Sequence, residues 1–338
     1  MLKKAFILAT SALLCIFFSC SDMNRECTTQ GVTMVKVGPD EDAAPSSLPL
    51  EINKTAYTER QSLNFKFNET DRPYLLFLPE NEGDEANTPM VFIFHGGGNA
   101  HYSFSKRRSW LIDKTLEEGF VVVIPQGTPG PTGAWNAMHC CGYALMCDVD
   151  DVGYIRALVN HLISELDIDT SRIYATGHSN GGFLTHRVAV ELSDIFAAVA
   201  PGAATIGGQA DPESAEERIA QTDTPMPIMM YHGENDGAVN LEGGSSKGNE
   251  NARIDLPLTE SVAYWTTVNG CSGEPTETTD LDATISDYEE CDHAPVKVVI
   301  ISDLGHGYPD PDILEPGEGV DFDFASMLLQ FFKDNPKQ

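Results

Sequence analysis

Residues 175–182 read Ala-Thr-Gly-His-Ser-Asn-Gly-Gly. A strand-like segment, Arg172 to Thr176, runs into this stretch, and a helix-like segment, Gly181 to Leu192, runs out of it. A strand that turns sharply into a helix brings two backbones close together, so the turn needs small residues on both sides. The residue at its apex is Ser179. It takes strained backbone angles and lifts its Oγ clear of the sheet. The amide of Asn180 points into the same space, at the positive end of the helix. A glycine-serine-glycine string in a plain turn lacks the flanking strand and helix. Context therefore decides this reading.

The alternation extends in both directions from the turn. Regular patterning starts near Leu63. Strand-like runs are Tyr74 to Leu78, Met90 to Phe94, Phe120 to Ile124, Ile228 to Tyr231 and Val296 to Ile301. The run Phe-Val-Val-Val-Ile at 120–124 is continuously apolar, as expected of a strand buried on both faces. Helix-like stretches lie between the runs: Ser109 to Glu118, Val152 to Leu166, Leu258 to Val268 and Phe322 to Phe332. Asp150 or Asp151 is placed to cap the second helix-like stretch. This order predicts a mostly parallel central sheet with helices on both faces. Ligands bind such sheets at the carboxyl ends of the strands.

Three further loops at that edge carry chemistry. His95-Gly96-Gly97-Gly98-Asn99 follows a strand and suits a second backbone donor to an oxyanion, with Gly97 favoured and Gly98 the alternative. His95 itself reads as a packed, hydrogen-bonded core residue. His232-Gly233-Glu234-Asn235-Asp236-Gly237 follows another strand and supplies an acid, Asp236, with Glu234 as competitor. Leu304-Gly305-His306-Gly307-Tyr308 follows the last strand and supplies a base, His306. Serine needs a base to take its proton, and histidine has the unperturbed pKa nearest neutrality. The order Ser, Asp, His is that of α/β-hydrolases. The expected fold class is therefore α/β, of the α/β-hydrolase type. Among the other histidines, His101, His161 and His186 fall in helix-like stretches, His232 reads as structural, and His293 is the rival base. No metal or organic cofactor is needed for the chemistry expected of these residues.

The formal net charge is −30 at pH 7. Such a surface repels nucleic-acid phosphates and anionic lipid head groups. It sets aside nucleic-acid binding and best suits a neutral or weakly charged substrate. Lys3 and Lys4 precede an apolar run, Ala5 to Phe18, too short to span a membrane well, and the run ends at Ser19-Cys20. This resembles a bacterial lipoprotein signal with Cys20 as the lipidated residue. The expected organisation is a signal over 1–19, a tether over 20–60 and one catalytic domain over 61–335. Membrane contact is expected through the lipid anchor alone. In an oxidising compartment the remaining cysteines default to disulfides. Cys271 and Cys291 share one loop-rich insertion and make the best pair.

With these residues placed, the chain resembles the bacterial family of exported esterases named polyhydroxybutyrate depolymerases and feruloyl esterases. The resemblance runs from about Leu63 to Phe332. It rests on HGGGN at 95–99, WNAMHCCG at 135–142, DVDDVGYIRAL at 148–158, ATGHSNGG at 175–182, HGENDGAV at 232–239, YEEC at 288–291 and GHGYP at 305–309. It implies Ser179, Asp236 and His306 as a catalytic triad and a Cys271–Cys291 disulfide. Two positions depart from the family pattern. Gly307-Tyr308 replaces a frequent tryptophan after Gly-His, which bears on the substrate rim. Cys147 is atypical and leaves Cys140 and Cys141 open, with Cys141–Cys147 the expected pair. Trp135, His178 and Tyr308 are the expected substrate contacts, Trp135 as a platform or as a packing residue. The leading substrate is a feruloyl or acetyl ester of plant polysaccharide. The alternatives are a hydroxybutyrate polyester or oligomer and, from another class, a non-catalytic carbohydrate-binding lipoprotein.

Overall fold

A computed structural model describes residues 51–56, 58–80, 87–99, 101–128, 133–246, 253–311 and 322–337. The expected signal and Cys20 lie outside the described residues. An antiparallel hairpin, β1 (Gln61–Phe67) and β2 (Thr70–Phe77), opens the sheet. There follow β3 (Thr88–Phe94), α1 (His101–Arg107), α2 (Ser109–Glu117), β4 (Val121–Pro125), α3 (Gly142–Met146) and α4 (Asp151–Glu165). Next come β5 (Ile168–His178), α5 (Asn180–Glu191) and β6 (Ala198–Gly202). Short strands β7 (Gly207–Gln209) and β8 (Glu217–Arg218) precede β9 (Ile228–Gly233). The chain continues through β10 (Gly244–Ser245), β11 (Ile254–Asp255), α6 (Leu258–Asn269), β12 (Thr276–Asp280) and β13 (Ala283–Tyr288). It closes with β14 (Val296–Ile301) and α7 (Phe324–Asp334).

The main sheet has ten strands in the order β1-β2-β4-β3-β5-β6-β9-β14-β13-β12. The run from β4 to β14 is parallel, and both edges are antiparallel. A small sheet, β10-β11-β7-β8, stands apart in pairing. Odd and even residues of the parallel strands feed two cores. Met90, Phe92, Val123, Ala175 and Met230 face α4, α5 and α6 through Leu158, Phe183 and Trp265. Val91, Ile93, Val122, Tyr174 and Met229 face α1, α2 and α7 through Phe104, Leu111 and Phe332. Burial on both faces explains why these strands read as unbroken apolar runs. Each large side chain so buried stabilises the fold by about 1.5–3 kcal/mol.

Three expectations change. The described residues 51–56 and 58–60 pack on the folded unit rather than forming a tether. Gln61 and Asn53 exchange hydrogen bonds, Thr58 N donates to Leu78 O at 2.7 Å, and Ala56 is buried. The segment between Cys271 and Cys291 is the β12–β13 hairpin, an extension of the sheet, and not a loop-rich insertion. Every residue of β12 is exposed, so no apolar alternation marked it. Cys141 does not pair with Cys147. Cys140 pairs with Cys141, and Cys147 is disulfide-bonded elsewhere. Helix α3 explains this, because at about 1.5 Å per residue it carries Cys147 away from Cys141.

The two aspartates at the start of α4 divide their work. Asp150 caps the helix, accepting from Gly153 N at 2.8 Å. Asp151 is buried and accepts from Arg72 Nη2 and from Asn136 N, each at 2.7 Å. Burial pushes the Asp151 carboxyl up, while Arg72 and the Asn136 N–H favour its charged form. This buried pair ties strand β2 to the loop that carries Trp135. Asp151→Asn strands a buried guanidinium and is expected to cost about 3–5 kcal/mol in urea unfolding. Asp150→Ala removes a cap alone and is expected to cost about 1 kcal/mol. Equal losses in the two variants would refute this division.

Candidate active site

Sheet register assembles the site. Phe94 of β3 pairs with Gly177 of β5, so the loops after them, 95–99 and 178–182, start side by side. His178 pairs with Gly202, Gly202 with Tyr231, and Ile301 with Gly233. The loops bearing Ser179, Asp236 and His306 therefore leave the same sheet edge. Ser179 sits at φ 58° and ψ −125°, a left-handed conformation that a serine holds only under constraint. Its N–H donates to Gly202 O at 2.9 Å. A Cβ on Gly177 would collide with Gly181 O, and one on Gly181 with Phe94 O. Those two glycines let the turn pack this tightly.

Ser179 Oγ lies 2.8 Å from His306 Nε2, and His306 Nδ1 lies 2.7 Å from Asp236 Oδ2. Asp236 Oδ1 accepts from Ala238 N and Val239 N, both at 2.8 Å. His232 Nε2 donates to Val239 O at 2.8 Å and lies 3.3 Å from Asp236 Oδ2. Burial pushes the Asp236 carboxyl up, but hydrogen bonds from His232 and His306 outweigh it, with the His306 charge and the Val239 N–H adding to them. The carboxyl is held far below the usual carboxylate range. His306 Nδ1 therefore donates to an ionised Asp236, and Nε2 faces Ser179 as an acceptor. Glu234 is exposed and stands outside this line. His293 is exposed beside Cys291, and its N–H donates to Asn269 O.

The glycine loop lies over the elbow. A Cβ on Gly97 would touch Asn180 Cβ at 3.5 Å. Gly98 N already donates to Gly133 O at 3.1 Å, which leaves Gly97 as the better placed donor. Asn180 opens α5, so its own N–H has no intrahelical acceptor. Its side chain is locked by Trp135, accepting from Trp135 N at 2.7 Å and donating to Trp135 O at 3.0 Å. His95 is buried, accepts from Gly127 N at 2.9 Å, and has its pKa pushed down to about 4 by burial, against the Gly96 carbonyl bond. It is a neutral strut beneath the loop.

The expected substrate contacts lie elsewhere than at a rim. Trp135 is fully buried and its Nε1 donates to His95 O at 2.8 Å, so its ring offers no platform. His178 is buried with its ring centroid 5.1 Å from that of His306 and 5.0 Å from that of Tyr308, as a floor under the base. Burial, then the His306 charge, pushes its pKa well down. Tyr308 is buried between Phe104 and Phe324. A network that sequence reasoning missed backs the site from behind. Arg253 grips Asp255 through Nε and Nη2 at 2.6 and 2.8 Å, and His139 Nε2 lies 2.8 Å from the same carboxylate. Arg253 Nη1 also lies 3.4 Å from Cys140 Sγ.

The sheet order and the Ser-His-Asp line define the class: by fold, the chain is an α/β-hydrolase. A sequence profile described as the prolyl oligopeptidase family matches residues 102–211. The chain is similar to feruloyl esterase B of Piromyces equi, 30% identical over 235 residues, which are 68% of this chain and 41% of that one. It is similar to poly(3-hydroxyalkanoate) depolymerase C of Paucimonas lemoignei, 25% identical over 309 residues, or 82% of this chain and 67% of that one. Acetyl xylan esterase from Aspergillus awamori has a like fold, with a TM-score of 0.54 at 15% identity, covering 81% of this chain and 99% of its own. The chain thus spans less than half the length of its Piromyces relative. These relatives bear the names of the family that the motifs resemble.

Proposed function

We propose that the chain is an exported serine esterase working by two-step acyl transfer. The observation that carries this reading is the unbroken hydrogen-bond line from Ser179 Oγ through His306 to Asp236 at the elbow. Ser179 attacks the ester carbonyl as His306 Nε2 takes its proton. The amides of Asn180 and Gly97 hold the oxyanion. His306 returns the proton to the departing alcohol, and water then repeats the attack on the acyl-enzyme. Asp236 fixes the imidazole tautomer and stabilises the imidazolium that forms.

Feruloyl or acetyl esters linked to plant polysaccharide are the leading substrates, supported by relatives named feruloyl and acetylxylan esterases. A hydroxyalkanoate ester is the second reading, supported by the depolymerase match over 82% of this chain. Export rests on the apolar run that ends at Ser19-Cys20, with Cys20 as the lipidated residue. A fluorophosphonate probe should label the wild type and not Ser179→Ala. Equal absence of label in both would sink the esterase reading and leave a non-catalytic carbohydrate-binding lipoprotein. Parallel turnover of methyl ferulate, 4-nitrophenyl acetate and a hydroxybutyrate oligomer ranks the substrates. A clear preference for the oligomer would overturn the feruloyl reading.

A further inference from the structure

Carboxylates outnumber cationic side chains in this sequence by 51 to 21. Arginines in such a chain find acidic partners easily, and those described from Arg72 to Arg253 do so, with one exception. The exception is Arg107. Arg60, the first described arginine, is like it. Among the described residues neither has a carboxylate within salt-bridge distance. Both are exposed, and both are oriented by neutral acceptors. Arg107 Nη2 donates to Asn99 Oδ1, and Asn99 Nδ2 donates in turn to Gly97 O at 3.3 Å. Arg60 Nη2 donates to Tyr102 Oη at 2.8 Å, with its guanidinium carbon 3.9 Å from the centre of that ring.

These bonds fix where the guanidinium groups point without neutralising their charge. A guanidinium carries five N–H donors in a planar fork that matches a carboxylate, and one hydrogen bond to a neutral amide leaves most of the fork available. Holding the fork in place beforehand lowers the entropy cost of binding an anion. Arg107 is separated from the proposed oxyanion donor, Gly97, by a single side chain. Its charge therefore lies on the order of 10 Å or less from the reacting carbonyl, inside or near one screening length. The bland reading, two solvated surface arginines, does not explain why a residue of the oxyanion loop holds one of them. Net acidity disfavours anionic ligands at long range, but ordinary salt screens charges beyond about 8–10 Å, so the nearby Arg107 guanidinium dominates.

We propose that Arg107, with Arg60 on Tyr102 of the same helix as a secondary contributor, binds a carboxylate carried by the ester substrate next to the scissile bond. The proposal rests on the acyl-transfer reading of the same site. It replaces the expectation of a neutral substrate with that of an acidic one. The carboxylate belongs either to a diacid acyl group or to an acidic alcohol such as a uronic acid, and one chemistry recognises both.

The test compares charged and neutral esters of matched shape in the full chain. Mono(4-nitrophenyl) adipate against 4-nitrophenyl hexanoate places the charge on the acyl side. 4-Acetoxybenzoate against 4-acetoxybenzamide places it on the alcohol side. In at least one pair, Arg107→Gln should lower the charged-to-neutral ratio of kcat/KM about tenfold, with the loss in KM. Arg60→Gln should lower it less, and raising the salt should lower it in the wild type. The pair that responds identifies which side carries the carboxylate. Ratios unchanged in Arg107→Gln for both pairs would overturn the proposal. Failure of the wild type to hydrolyse any of the four esters would instead show that the acyl-transfer reading is wrong, and the proposal would fall with it.

Discussion

Ser179→Ala is expected to lower kcat on a short-chain nitrophenyl ester about a million-fold while the protein stays folded. The size follows from the role: without Oγ no acyl-enzyme forms, and serine hydrolases that lose the nucleophile lose roughly six decades in kcat. The fold should survive because Ser179 contributes to the turn through its backbone, by the bond from its N–H to Gly202 O. Its side chain makes no capping bond to α5. His306→Ala alone should cost nearly as much, and the double variant little more than either single. Nucleophile and base act as one unit across the 2.8 Å contact, so their losses do not add. Single-turnover rates for the three variants, with circular dichroism melts alongside, check this. Losses that multiply in the double variant would mean that the two residues act independently.

The elbow was legible because steric need writes itself locally. Gly177, Gly181 and Gly182 mark close backbone approaches, and the apolar runs mark strands buried on both faces. Order along the chain then put Asp236 and His306 at the right loops, and register in the parallel sheet brought them together. What stayed hidden is contact between residues far apart in sequence. Arg72 meets Asp151 across 79 positions, and His139 meets Asp255 across 116, with no pattern to announce either pair. Trp135 was open between binding platform and packing residue because a motif tryptophan reads the same whether it faces solvent or core. Its indole N–H finds His95 O inside the protein, and that bond decides the matter. The β12–β13 hairpin was hidden for the opposite reason: an edge strand exposed throughout carries no alternation to read. A net −30 does not reveal that Asn99 of the glycine loop holds the Arg107 guanidinium.

Asp236→Asn should lower kcat about ten-thousand-fold with little change in structure, and the reason lies in which oxygen is fixed. Ala238 N–H and Val239 N–H both donate to Oδ1, so an asparagine must place its carbonyl oxygen there. Its NH2 then faces His306 Nδ1 and can only donate. The imidazole proton moves to Nε2, which points at Ser179 Oγ and can no longer accept from it. Flipping the amide would restore the tautomer but leave the part-buried Ala238 N–H and the buried Val239 N–H facing a donor, at about 1–3 kcal/mol for the buried one. The wrong tautomer is therefore the cheaper state. The wild-type carboxylate has its own pH signature. Burial raises the Asp236 pKa and the bonds from His232 and His306 lower it further than that, so the folded value sits below the unfolded value of about 3.9. Its contribution to stability is then complete above about pH 4 and is lost as pH falls from there through the folded value. Above pH 4 Asp236 stays ionised, so the acid limb of kcat/KM there should have the slope of one proton, tenfold per pH unit, with no contribution from Asp236. A limb of slope two above pH 4 would show a second group titrating and remove Asp236 from its assigned role.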